Sequence, residues 1–193
     1  MKAQEIKQSA LAQFVMKGFE ATTLDDIVKD IGLKKQSVYS YFKTKEEIFL
    51  KVMEDTINNE IYFIRNFFEE NSDQSSKFIL NKLLMKYKDR YMIQEDLELK
   101  FVLRMAFMPP FQLRNTVMSQ FHLYNHELER ILIQIFEKEE SISVSPKEGM
   151  ISFSNLLDGI LVELIYSDSN AEKFEEKLAV SWEIYWKGIT SSI

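Results

Sequence analysis

Hydrophobic positions recur at helical spacing along nearly the whole chain. Ile6, Ala10, Leu11, Phe14 and Val15 share one face of a first helix over residues 3–17, which Gly18 is expected to stop. Thr23 caps a second helix, with Asp26 as its capping-box partner three positions on. Leu24, Ile27, Val28 and Ile31 form the buried face of that helix. Gly32 supplies a turn, where positive φ suits glycine. A short third helix is predicted from about Lys34 to Ser40, with Val38 and nearby Phe42 pointing inward. Thr44 and Glu47 then make a capping box for a long fourth helix over 45–70.

The pattern continues as helices. Residues 71–76 read NSDQSS, a loop, and a fifth helix follows over 76–91. The sixth begins near Asp96 and ends before Pro109-Pro110, because a proline disfavours helical geometry in the residue before it. Residues 111–139 form a long amphipathic seventh helix, broken by SISVS. Ser145-Pro146-Lys147-Glu148 combines an N-cap, a proline at the first helical position and a glutamate at the third, and starts an eighth helix reaching about Ser167. Ser169 and Glu172 cap a last helix over 170–189. No strand alternation, internal repeat or low-complexity linker stands out. The expectation is an all-α chain of about nine helices. An N-terminal three-helix unit with a helix-turn-helix occupies 1–46. A helical body occupies 47–193, with the fourth helix leaving the first and entering the second.

Composition narrows the classes. Hydrophobic residues make up 46% of 193, with only five glycines and three prolines, which suits long helices and argues against disorder. The absence of cysteine removes disulfides, thiol catalysis and cysteine metal sites. The start is too polar for a signal peptide, and no run approaches the roughly 18 apolar residues of a membrane span. A soluble, cytoplasmic protein without a membrane partner is expected. Net charge is −6, yet residues 1–51 carry +2 and residues 52–193 carry −8. A slightly basic head on an acidic body suits contact with phosphates at one end.

The candidate chemistry lies in that head. Two helices joined by a glycine turn form a helix-turn-helix, whose second helix enters the DNA major groove. Ile27, Ile31, Val38 and Phe42 hold the pair; Lys34, Lys35, Gln36, Ser37, Tyr39 and Tyr41 lie outside that core set. Lys35 matches guanine acceptors, Gln36 matches adenine in bidentate fashion, and Ser37 bonds either. Tyr39, Tyr41 and Lys45 suit phosphates, as do the backbone amides around Thr23 and Leu24. Lys45 stands at a helix start, where its charge opposes the dipole and a nearby phosphate would make sense of it. The competing structural reading is a helix-turn-helix that only packs.

The run from Ile6 through Ala10, Phe14, Gly18, Thr22-Thr23, Ile27, Gly32, Val38-Tyr39, Tyr41-Phe42 and Lys45-Glu46 resembles the DNA-binding domain of TetR-family transcriptional regulators. It covers roughly the first quarter of the chain. The resemblance implies a homodimer of about nine helices per subunit that binds double-stranded operator DNA. It also implies a body that binds a small effector and releases the operator, usually as a repressor. Carried over by position, the DNA-facing set is Thr23, Lys34, Lys35, Gln36, Ser37, Tyr39, Tyr41 and Lys45. Two positions depart from the family pattern. Lys34 stands where a serine cap is common, and Gln36 where a small residue is usual.

The body offers weaker constellations. His122 and His126, spaced i, i+4 with Glu127 adjacent, have zinc-compatible spacing but no evident third ligand, and neither metal nor cofactor is expected. Arg104 suits a structural salt bridge or an acidic ligand. Asn155, Asp158 and Glu163 interrupt an apolar helix, where they pair, face solvent or line a cavity. Tyr62, Phe101, Arg104, Met105, Phe121, Tyr124, Asn155 and Asp158 are the expected pocket residues, since aromatic and methionine walls suit lipophilic ligands. An acidic, aromatic-rich body permits cationic ones. Dimerisation is expected along Leu156, Gly159, Ile160 and Glu163 of the eighth helix and Trp182, Tyr185, Trp186 and Ile189 of the ninth. Gly159 costs its helix ~1 kcal/mol against alanine, which a close helix approach would explain. No nucleophile, phosphate loop or His-acid constellation points to an enzyme. The alternative function is a helical small-molecule-binding protein whose helix-turn-helix is only structural.

Overall fold

The computed structural model describes residues 2–166 and 171–191. Among these, the elements are α1 Lys2–Ala21, α2 Leu24–Lys29, α3 Lys35–Val38, α4 Lys45–Glu70, α5 Ser76–Met92, α6 Leu97–Phe107, a 3-10 turn Phe111–Leu113, α7 Arg114–Lys138, α8 Pro146–Tyr166 and α9 Ala171–Thr190. The chain is all-helical, with a helix-turn-helix in its first unit. The predicted Ser169 cap lies outside the described residues.

Two compact units form. The first comprises Met1–Glu60 with Asp96–Tyr124, the second Ile61–Glu95 with Asn125–Ile193. The helices α4 and α7 contribute residues to both.

The first unit is built on aromatic packing. Phe14 of α1, Phe49 of α4 and Phe101 of α6 are fully buried, and Phe19 nearly so. Their ring centroids lie 4.9 Å (Phe19–Phe49), 5.4 Å (Phe14–Phe49) and 5.6 Å (Phe49–Phe101) apart in edge-to-face geometry, which adds to burial. Ile6, Ala10, Ile27 and Val38 complete the interior beneath the short helices.

Gly18 does not end α1 as expected. Its backbone turns to φ 81° and ψ 166°, kinking the helix, and one more helical turn runs on to Ala21. That left-handed φ suits glycine alone at low cost. Arg104 stands against the kink. Its Nη1 donates to the Val15 carbonyl at 3.0 Å.

In the second unit, α8 packs against α5 and α9, and α5 against α9. The expectation that no segment has span-like apolarity is corrected at α8, whose best 18-residue window reaches a mean hydropathy of 1.3. The apolar side chains Met150, Phe153, Leu157, Ile160, Leu161 and Leu164 are buried in the unit's core, which accounts for that value. Asn155 and Asp158 stay at the exposed surface, and Glu163 pairs with Lys177 of α9.

The tryptophan stripe of α9 packs inward in the single chain. Trp182, Trp186 and Ile189 are buried within the chain, as is Ile160, because α9 turns its aromatic face onto its own unit. Trp182 stacks 5.5 Å from Trp186 and 5.7 Å from Tyr185. The Tyr185 hydroxyl donates to the Gly149 carbonyl at 3.4 Å, and burial pushes its pKa up to about 12. Leu156 is half-buried, and Gly159 has open space where a Cβ would stand, so nothing within the chain approaches it closely. The apolar residues these two helices do expose are Ile151, Tyr166, Val180 and Ile184.

Candidate nucleic-acid interface

The helix-turn-helix is tied together by buried polar bonds. Ser9 donates from α1 to the Ile27 carbonyl of α2 at 2.7 Å. Gln13 reaches Asp30 at 3.0 Å. Thr22 is buried, and its hydroxyl donates to the Gly18 carbonyl at 2.7 Å. At the start of α2 a reciprocal capping box forms: the Asp26 amide donates to Thr23 Oγ1 at 3.1 Å, and the Thr23 amide donates to Asp26 Oδ2 at 2.9 Å. Lys17 adds an ion pair to Asp26 at 2.5 Å, and holds that carboxyl far below the ordinary range. Thr23 is therefore exposed but committed to its cap, and its amide already has an acceptor.

Gly32 turns the chain at φ 62°, as the spacing predicts. The third helix is shorter than expected, only Lys35–Val38. Lys34 takes the N-cap position with extended backbone and makes no side-chain cap bond, so the departure from serine leaves this helix without that support. Val38 is fully buried and Phe42 nearly so, anchoring the segment from beneath. Outward from that anchor, Lys34, Lys35 and Gln36 are exposed and Ser37 is half-buried. Tyr39 and Tyr41 expose 55% and 46% of their surface, much for aromatic residues beside a core. Cations, an amide and two phenols thus stand together on one rigid, solvent-facing element.

Lys45 is placed differently. Its ammonium donates to the carbonyls of Phe19 at 2.7 Å and Thr22 at 2.8 Å, and lies 4.3 Å above the Phe19 ring. It caps the broken end of α1, which is the physical reason for a lysine at the start of α4 despite the dipole. No sequence signal marks this contact, because its partners are backbone atoms. Sequence reasoning also missed Asp25. That carboxylate accepts from Lys35 Nζ at 3.0 Å across the turn, and the bond raises the Lys35 pKa.

Residues 6–52 match the family described as bacterial regulatory proteins, tetR family. The chain carries a TetR-family DNA-binding domain. It is a transcriptional regulator and not an enzyme. Over 83 residues this TetR-family regulator is 37% identical to the biofilm operon icaADBC HTH-type negative transcriptional regulator IcaR of Staphylococcus epidermidis, an alignment spanning 43% of each chain. It is 26% identical to the uncharacterized HTH-type transcriptional regulator YfiR of Bacillus subtilis over 96% of this chain and 90% of that one. Its fold is similar to that of the Bacillus subtilis regulator FadR, solved in complex with stearoyl-CoA, with a TM-score of 0.69 at 18% identity, covering 96% and 98% of the two chains.

The expected pocket residues fall in both compact units. Phe101, Met105 and Phe121 are buried and Tyr124 half-buried in the first unit, whereas Tyr62 is 68% exposed in the second. A cleft of about 580 Å³ opens instead in the second unit, lined by residues that include Arg65, Phe68, Ile79, Arg130, Ile135 and Lys138. Arg65 Nε and Arg130 Nη2 each donate to Glu127 Oε1 at 2.7 Å. Those two guanidiniums, Arg130 foremost, depress the Glu127 pKa to about 2. Glu127, weighed above beside two histidines, is thus bound by arginines, while His122 and His126 are exposed.

Proposed function

We propose that this TetR-family regulator is a homodimeric, cytoplasmic repressor that reads a palindromic operator and is released by a small lipophilic effector. The observation that carries the reading is the exposed set Lys34, Lys35, Gln36, Tyr39 and Tyr41 on a turn anchored by buried Val38 and Phe42. The name of the Staphylococcus epidermidis relative, a negative regulator, supports repression. The reading head is residues 1–46, and 47–193 serve effector binding and dimerisation. Lys35 and Gln36 face bases, Ser37 assists, and Lys34, Tyr39 and Tyr41 hold phosphates. Thr23 and Lys45 keep the head in shape.

Dimerisation uses α8 and α9 through the faces that remain exposed, Ile151, Gly159 and Tyr166 with Val180 and Ile184. Operator half-sites one DNA turn apart, about 34–36 Å, follow from two-fold symmetry. The effector prefers a state with a different separation of reading heads, and DNA affinity falls by that differential free energy. The helix α4, continuous from Lys45 to Glu70, is the lever. The cleft lined by Arg65, Arg130 and Ile79, with Glu69 and Glu139 also in its wall, offers apolar and charged groups together and so supports an amphiphile. The FadR neighbour bound to stearoyl-CoA is a ligand precedent of that type.

The test is selection from a random DNA pool with the purified protein, followed by footprinting. A palindromic protected site supports the reading, and no protected site at moderate salt overturns it. Changing Lys35 and Tyr39 to alanine should abolish retention; unchanged retention would leave the helix-turn-helix structural and favour the small-molecule-binding alternative.

A further inference from the structure

The two carboxylates that open α2 do different jobs. Asp26 closes the capping box with Thr23 and takes Lys17. Asp25 has no part in that cap. Its side chain is 69% exposed, and it holds the ammonium of Lys35, 45% exposed, at 3.0 Å. An acid on a face that meets a polyanion is a liability unless it acts there.

We infer that Asp25 is a specificity-determining residue, which keeps Lys35 from phosphates and leaves it available to guanine. An ammonium has three N–H donors. One suffices for Asp25, and two remain for the O6 and N7 acceptors that guanine presents in the major groove. On a matching site the ion pair persists and Lys35 gains two bonds. On unrelated sequence no O6/N7 pair faces Lys35, and a phosphate that approaches its ammonium also meets the Asp25 carboxylate held beside it. The pair is therefore neutral toward non-specific DNA, whose binding follows charge alone. An exposed pair contributes little to folding, so its value here lies in discrimination rather than stability.

The inference rests on the proposal that this face reads DNA, and the experiment separates the two. Full-length protein, Asp25→Asn, Lys35→Gln and the double variant are titrated with the selected operator and with a scrambled duplex of equal length, over a series of salt concentrations. Thermal melting checks that Asp25→Asn keeps its fold, as the intact Asp26 box requires. Asp25→Asn should tighten scrambled-duplex binding about threefold to tenfold and operator binding by much less, so the affinity ratio falls. Its salt slope on the scrambled duplex should steepen by about one phosphate contact. In the Lys35→Gln background the change in ratio should vanish. Equal tightening on both duplexes, or the same change in ratio without Lys35, overturns the inference alone. Failure to select any operator overturns the functional proposal and this inference with it.

Discussion

Arg104 of α6 donates to the carbonyl of Val15, 89 residues earlier, at 3.0 Å and beside the kink at Gly18. A non-helical residue interrupts the i→i−4 ladder in which that carbonyl would take part. The guanidinium supplies a donor to that carbonyl. A Cβ at Gly18 would stand 3.0 Å from Arg104 Nη2, the end of a flexible side chain, so glycine is needed there chiefly for its positive φ.

Arg104→Ala should therefore lower stability by roughly 1–2 kcal/mol, the loss of a charge-assisted bond to a carbonyl beside the kink. Denaturant unfolding at constant slope measures it. An unchanged midpoint would show that water replaces the guanidinium without loss.

Lys45 separates a capping role from a phosphate role. Lys45→Gln should reduce the melting temperature, because the carbonyls of Phe19 and Thr22 lose a cationic donor. The salt slope of DNA binding should stay as it is in the parent protein. A slope shallower by about one contact would assign Lys45 to a phosphate instead.

Acid should loosen the second unit through Glu127. Its folded pKa of about 2 lies below the ordinary carboxylate value of 4.5. The ionised form is thus favoured by folding. Its stabilisation is complete above the unfolded value and is lost as pH falls from that value through about 2. Glu127→Gln should destabilise the neutral-pH protein by roughly 1–3 kcal/mol and flatten its stability profile over that acid window. Thermal melts at stepped pH report both effects.

The exposed α9 residues Val180 and Ile184 test the proposed dimer. Replacing both with glutamate should shift sedimentation toward the monomer, because two carboxylates would be buried in an apolar contact. The buried Trp182 is the poorer probe, since its loss would unfold the unit first.

At Gly149 a Cβ would stand 2.9 Å from the ring of Phe136, which is buried. Gly149→Ala should therefore destabilise by about 1–3 kcal/mol despite alanine's better helix propensity. A rise in melting temperature would mean that the ring moves aside freely.

Much of the fold was legible along the chain because its signals are local. The Thr44–Glu47 box predicts a helix over 45–70, and the structure has Lys45–Glu70. The Ser145–Glu148 box is equally clear, with the Ser145 amide donating to Glu148 Oε2 at 2.8 Å. Gly32 and the buried Val38 and Phe42 identify the turn and its anchor for the same reason: each depends on neighbours a few residues away.

What only the tertiary structure decided is which polar groups remain available to a ligand. Lys45, Thr23 and Arg104 have the right chemistry for DNA or effector, yet each meets a partner of the chain's own, in the last case through a contact 89 residues long. The α9 tryptophans are apolar enough for an interface, but they face inward because helix rotation is set by packing against α5 and α8, not by periodicity. Sequence alone therefore determined that this is a helical chain with a TetR-like reading head. Tertiary contact determined which lysine is held by which carboxylate, because hydrogen-bond partners are chosen in space.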